Sequence, residues 1–278
     1  MRPESSQVSK PFAEDKFAGH RLLAEVKLTR MELRIERAIK RALSIHKKRA
    51  LAAASAQHLT AAAPPDAFGL DAWDSSINDE VLPIIGNVME DLATSVSSFL
   101  QLSPEIRAQL LGKIDVASRT ANFVDKVRTI GSDISAQLIE ELTVGIAKGE
   151  GTAVLARRID SVFDVGNRIA ERVVRTETHG ASEGTSHASA NAISAAGYEV
   201  TKSWIDTADE RTRESHRQAA ADNQDIPLDQ PYRVGGYELD YPGDPDGPAD
   251  EVIRCRCSQK YSLDGALGPL KSGDMPDL

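Results

Sequence analysis

Glu251-Val-Ile253-Arg-Cys255-Arg-Cys257-Ser-Gln259-Lys-Tyr261-Ser-Leu263 is the stretch on which the reading of the fold turns. Ile253, Cys255, Cys257, Gln259, Tyr261 and Leu263 alternate with Arg254, Arg256, Ser258, Lys260 and Ser262. A period of two predicts a half-buried strand over 253–263. Upstream, Tyr198–Thr207 (YEVTKSWIDT) reads as a second strand. Between them, residues 222–250 are rich in Pro, Gly and Asp, with Gly235-Gly236 and Pro242-Gly243-Asp244-Pro245 as turns. A small antiparallel sheet is therefore expected near the C-terminus.

The chain before that sheet reads as helix. From Phe17 to Ala56 there is no Pro, and Leu22, Val26, Met31, Ile35, Ile39, Leu43 and Ile45 recur at roughly helical spacing. Ala61–Gly69, with Pro64-Pro65, reads as a linker. Helices follow over 77–165, with Asn78 as a candidate cap and Ser103-Pro104-Glu105 as a start signal. The Gly145…Gly149-Glu-Gly151 stretch breaks this run, and Thr152 is a candidate cap for a short helix carrying Leu155, Ile159 and Phe163. From Asn167 to Ala196 a helical pattern is surfaced with Gly, Ala, Ser and Thr, and Gly197 is its expected end. Small residues there allow another backbone to come close. Glu177, Gly184, His187 and Asn191 fall on one face of this helix.

The expected fold class is α+β, predominantly helical. Its parts are a basic helical arm (1–62), a linker (63–76), a helical region (77–165), an α+β domain (166–263) and a tail (264–278). Charge supports the distinction of the arm. The net charge is −9, but residues 1–60 hold 13 Lys/Arg against 6 Asp/Glu. A basic end on an acidic body points to docking on an acidic surface, protein or nucleic acid, or to a solvated amphipathic helix. No apolar run approaches the ~20 residues of a membrane span, and no apolar leader opens the chain. A cytoplasmic site of synthesis, reduced thiols and no membrane partner are the expectation.

The two cysteines are the only ones in 278 residues. A disulfide between them would strain the loop it closes. On one strand face, both sulfurs point to the same side. With His216 as a third ligand and Asp209, His187 or His179 as a fourth, they make a candidate zinc site. The alternative is two small apolar side chains packed beside Ile253 and Tyr261, with His216 hydrogen-bonded near the Asp209–Arg211 pair. Histidine, Asp209 and Glu177 are also parts a metal-dependent nuclease would use. No thioredoxin-like context supports a redox pair. Arg175-Thr176-Glu177 is expected to brace the small-residue helix, and Asp209, Arg211 and Arg213 to tie the loop after the first strand to it.

The ordered set Gly145-Ile-Ala-Lys-Gly149, Arg172-Val-Val-Arg175-Thr176-Glu177-Thr178, Gly197-Tyr, Lys202-Ser-Trp204, Asp209-Glu-Arg211-Thr212-Arg213-Glu-Ser-His216, Pro242-Gly243-Asp244-Pro245 and Glu251-Val-Ile-Arg-Cys255-Arg256-Cys257 resembles the phage Mu protein F-like family over residues 125–263. These are minor head, or head morphogenesis, proteins of tailed double-stranded DNA phages. The resemblance implies a virion component of small copy number, associated with the portal, needed for head assembly and contributing to DNA delivery. Major capsid protein, scaffold protein and packaged DNA are its further expected contacts. No catalytic activity is carried over from the resemblance, and a non-enzymatic role is the expectation. A packaged nuclease or toxin-like enzyme, and a DNA-binding internal head protein, are the alternative readings. Arg175 is similar to the Arg of ADP-ribosyl-transferring folds, but no Glu-x-Glu follows it. Family members commonly carry Asn immediately before Cys-Arg-Cys, where this chain has Arg254.

Overall fold

In the computed structural model, residues 12–55, 70–99, 116–195 and 199–264 are described. The element order begins with five helices: α1 Phe12–Ser55, α2 Leu70–Ser76, α3 Leu82–Phe99, α4 Val116–Ala147 and α5 Thr152–Ala195. A π-helical turn, Ile77–Val81, joins α2 to α3. The second half holds β1 Glu199–Ile205, α6 Glu214–Asp222, β2 Ile226–Pro227, β3 Tyr232–Val234, β4 Tyr237–Leu239, α7 Ala249–Val252 and β5 Ser258–Asp264. The fold is α+β and predominantly helical, as the periodicities predict.

Helices α1, α4 and α5 share one core. Ile35, Ile39 and Leu43 of α1 interlock with Phe123, Val127, Ile134 and Leu138 of α4 and with Ile159, Phe163 and Val174 of α5. The intervals are four or seven residues in α1 and α4 and four and eleven in α5, each close to whole helical turns, which presents one apolar stripe per helix to its neighbours. Trp73 of α2 closes this core and lies over Gly131, where a Cβ would come within 2.1 Å of the indole.

Four expectations change here. Residues from Leu28 to Ala54 are not a free arm: Met31, Ile35, Ala38, Ile39, Ala42, Leu43, His46 and Ala50 are buried. Apolar area at helical spacing outweighs the charges, which remain on the outer face. Leu70–Ser76, assigned by composition to a linker, is helical and anchored by Trp73. Asn78 lies within the π-helical turn rather than at a cap, and its Oδ1 accepts from Arg128 at 2.7 Å. The short helix at Thr152 and the small-residue segment from Asn167 are one 44-residue helix, running through the 165/166 boundary. The Ala61–Gly69 stretch, the Ser103 start signal, the Gly197 cap and the tail beyond Asp264 lie outside the described residues.

The break between α4 and α5 occurs where the glycines place it. Gly149 has φ +68°, and Glu150 turns back to pair with Arg158 at 2.6 Å. The long α5 then carries the second half of the molecule on its C-terminal part. Sheet order is β2-β1-β5, antiparallel throughout, with Glu199 opposite Asp264 and Ile205 opposite Ser258. A separate hairpin pairs β3 with β4 through Gly235-Gly236, whose φ values of +58° and +88° suit glycine.

The small residues of α5 do admit another backbone. A Cβ on Gly180 would lie 2.6 Å from the carbonyl oxygen of Gly243, so the Pro242–Pro245 turn seats directly on the helix. Thr176 Oγ1 accepts from the backbone N–H of Arg254 at 3.2 Å, fastening the segment before β5 to the same helix.

Arg254 has φ +57°. This left-handed conformation costs an ordinary L-residue on the order of 1 kcal/mol, and Asn tolerates it best after Gly. The Asn common in the resembling family is thus the residue this backbone prefers. Arg254→Asn is expected to stabilise the protein by about 0.5–1 kcal/mol, read as a rise in urea midpoint at unchanged slope. An unchanged or lower midpoint would show that the Arg254 side chain compensates for the strain.

Candidate functional site

The strand expected over 253–263 begins only at Ser258. Residues 249–252 are a helical turn, and Cys255 N–H donates to Val252 O at 3.0 Å. The cysteines therefore occupy a turn and an extended lead-in, not β5 itself. The alternation survives because an extended segment also places i and i+2 on one side. Cys255 and Cys257 are both 2% exposed.

They face α6, an element with no strong signal in the sequence. It begins after Arg213, whose guanidinium donates to the carbonyls of Glu251 and Ile253 and so ties the helix start to the α7 turn. His216, in its first turn, is buried and points inward. Its Nδ1 lies 3.1 Å from Cys257 Sγ and 3.8 Å from Cys255 Sγ. Its Nε2 lies 2.9 Å from Glu251 Oε2, which also accepts from Ser215 Oγ at 2.8 Å. The carboxylate retains the imidazole proton on Nε2 and leaves the Nδ1 lone pair facing the sulfurs. Trp204 of β1 stands edge-on to the His216 ring at 5.5 Å, and Gly235 leaves room for the Glu251 carboxylate where a Cβ would approach it to 2.1 Å.

The two thiols are unequal. The hydrogen bond from Cys255 draws the Cys257 thiol well below its ordinary pKa, while that same bond and burial push Cys255 up. His179, beneath them on α5, is held neutral by burial, with its pKa near 4 despite a hydrogen bond to the Cys257 backbone.

Of the expected ligands, His216, Cys255 and Cys257 come together, with ligand atoms within 4.8 Å of one another. Asp209 does not join them. It forms a bidentate pair with Arg256 at 2.6 and 2.7 Å, which holds its carboxyl far below the usual range. The intervening residue of Cys-Arg-Cys thus claims the acid, since a fork-shaped cation satisfies a carboxylate better than a distant ion would. His187 is also elsewhere, stacked at 5.7 Å on Tyr241, whose hydroxyl accepts from Arg119.

The Arg175–Glu177 brace divides differently from expectation. Glu177 accepts from Lys126 of α4 at 2.7 Å. Arg175 is exposed, and buried Thr176 between them makes the bond to the Arg254 backbone. Arg211 is largely exposed; its backbone N–H donates to Asp209 Oδ1 at 3.0 Å, and its guanidinium makes a long pair with Asp209 Oδ2 at 3.6 Å. Glu251 and Ser215 were not singled out in the sequence, although both stand inside motif segments. Their signal was proximity in sequence, Ser215 beside His216 and Glu251 four residues before Cys255.

Sulfur, imidazole and carboxylate in line are also the parts of a Cys-His-acid nucleophile system. A nucleophile needs an approach for its substrate. Both sulfurs and His216 are 2% exposed, sealed by Trp204, Tyr232 and Leu239. The arrangement suits internal fastening better than turnover.

A family model described as phage Mu protein F like protein matches residues 136–260. Among curated proteins, the NAD(+)–arginine ADP-ribosyltransferase EFV of Enterococcus faecalis (strain ATCC 700802 / V583) is 24% identical over 139 residues, taking in 50% of this chain and 28% of that protein. The chain thus matches less than a third of that relative's length. No solved structure matches. The matched segment contains His216, Glu251 and both cysteines, with the α5 surface that supports them, so the similarity to phage Mu protein F like proteins takes in the whole candidate site.

Proposed function

We propose that this protein is a minor head protein of a tailed double-stranded DNA phage, carried in the virion and docked on the portal during head assembly. Its family supports the place in the head, and that is the observation the reading rests on. The outer face of α1 supports the mode of docking. Arg30, Arg34, Arg37, Arg41 and Lys48 are exposed and lie within about 40° of one line along the helix at ~100° per residue. Arg34 and Arg41 have only long pairs, to Asp91 at 3.4 Å and Glu80 at 3.8 Å. Arg30, Arg37 and Lys48 form no ion pair with another described residue. The stripe suits an acidic protein surface, with the apolar face of the helix already committed to the core.

The role proposed is structural. The transferase named for the Enterococcus relative is not extended to this chain, because Arg175 is solvent-exposed and no Glu-x-Glu accompanies it. Among the described residues, no helix is long and apolar enough to cross a membrane.

The test is binding of the full chain to purified portal protein. Arg30→Glu, Arg37→Glu and Lys48→Glu combined are expected to weaken it tenfold or more while leaving the helical signal intact, because repulsion replaces attraction at each contact. Unchanged affinity would sink the docking surface. Duplex DNA binding that weakens steeply with salt, together with no affinity for portal, would favour the internal DNA-binding reading. DNA cleavage with added divalent metal, abolished by His216→Ala in a folded protein, would replace the structural role with the packaged nuclease.

A further inference from the structure

We propose that Cys255 Sγ, Cys257 Sγ and His216 Nδ1 form a zinc site, with Glu251 as the positioning residue behind the histidine. Tetrahedral zinc with bonds of ~2.3 Å to sulfur and ~2.05 Å to nitrogen separates those two ligand atoms by about 3.6 Å. The observed Nδ1–Sγ distances of 3.1 and 3.8 Å bracket that value. Little movement is needed to admit the ion.

Three further features fit. The donor set is two thiolates and an imidazole, which selects a borderline-soft ion over magnesium or calcium. The Nδ1 lone pair is already turned to the sulfurs, because Glu251 Oε2 accepts the proton on Nε2 at 2.9 Å. This is the carboxylate–histidine arrangement that orients a metal-bound imidazole. Ser215, donating to the same carboxylate oxygen at 2.8 Å, holds Glu251 in turn. Glu251 stands on the far side of the ring and is not itself a ligand.

Asp209 is excluded from the set by Arg256, so three side chains, His216, Cys255 and Cys257, are the ligands proposed. The ion would link α6, through His216, to the segment that leads into β5. Those two pieces of chain are 39 residues apart and joined by a hairpin and turns. The cysteines bind as thiolates, so uptake of the ion releases the thiol protons to solvent.

The experiment is metal analysis of the full chain purified without chelator in zinc-containing buffer, followed by replacement with Co2+. One zinc per chain and a thiolate-to-cobalt absorption band near the ultraviolet are expected. Cys255→Ser with Cys257→Ser should lose both. Asp209→Asn should retain both, and Glu251→Gln should retain the band while weakening zinc affinity 10–100-fold. Zinc content in the wild type no higher than in the double-serine variant, with no cobalt band, would overturn the site. So would alkylation of Cys257 in the zinc-treated folded protein at the rate of a free thiol. The cobalt band and the alkylation rate are read on the wild-type protein alone, so misfolding of a variant leaves the proposal exposed to refutation. Neither depends on portal binding.

Discussion

Trp204→Ala is expected to destabilise the C-terminal half by about 3–5 kcal/mol, the range for emptying a buried Trp or Phe site. Trp204 is fully buried. It packs edge-on to Tyr232 at 5.2 Å and to His216 at 5.5 Å, in a cluster with Ala219, Val234, Leu239 and the two cysteines. No neighbour can close the cavity cheaply, because each is itself tied down. Tyr232 belongs to the hairpin, His216 to Glu251, and β1 to strands on both sides. The helical core around Ile39, Phe123 and Phe163 is a separate cluster. Thermal melting should therefore show loss of near-ultraviolet aromatic signal at a lowered temperature, ahead of the far-ultraviolet helix transition. A single transition shifted as a whole would mean that α5 couples the two cores into one cooperative unit. A loss below about 1 kcal/mol would contradict the packing described.

Acidification is expected to weaken the protein between about pH 6.5 and pH 4, before carboxylates protonate. Burial lowers His179 from 6.5 to about 4, and His187 to about 4, with burial again the first cause and Lys202 and Arg119 adding to it. The unfolded chain takes up a proton on each as pH falls through 6.5, while the folded one does not until near 4. Stability is therefore fully present above about 6.5 and is lost progressively toward 4. For His179 the loss is on the order of 3 kcal/mol; His187, partly exposed, contributes less. Asp244 works in the opposite sense, since burial raises its carboxyl. Asp209 does not enter this window, because Arg256 keeps it ionised well below it. Urea midpoints at pH 7.5 and 4.5, measured with chelator so that no thiolate-bound ion contributes, check this. His179→Asn should flatten the difference. A wild-type midpoint that does not fall would show that these imidazoles reach solvent.

The helical periodicities of the N-terminal and middle segments translate directly into buried stripes, because a helix face is a local property of spacing. Ile35, Ile39 and Leu43 were legible for that reason, as was the α4–α5 break at Gly149. What composition misjudged was charge and small residues. Arg and Lys on α1 suggested an arm, yet apolar area at every third or fourth position holds that helix in the core. Proline and alanine suggested a linker reaching Ser76, yet one tryptophan, Trp73, anchors a helix there.

At the site, the sequence by itself determined the donor types: two thiols one residue apart, and a histidine in a segment of acids and bases. It also determined that both sulfurs share a side, since i and i+2 of any extended segment do. Only the tertiary structure decided which groups meet. Asp209 stands seven residues from His216, yet is drawn away because Arg256, between the cysteines, presents a bidentate fork to it. Glu251 is 35 residues from His216, yet reaches Nε2 because α6, the Gly235-Gly236 hairpin and the α7 turn fold onto the Trp204 core. Partner choice over such separations follows from chain packing, whose long-range contacts no local spacing encodes.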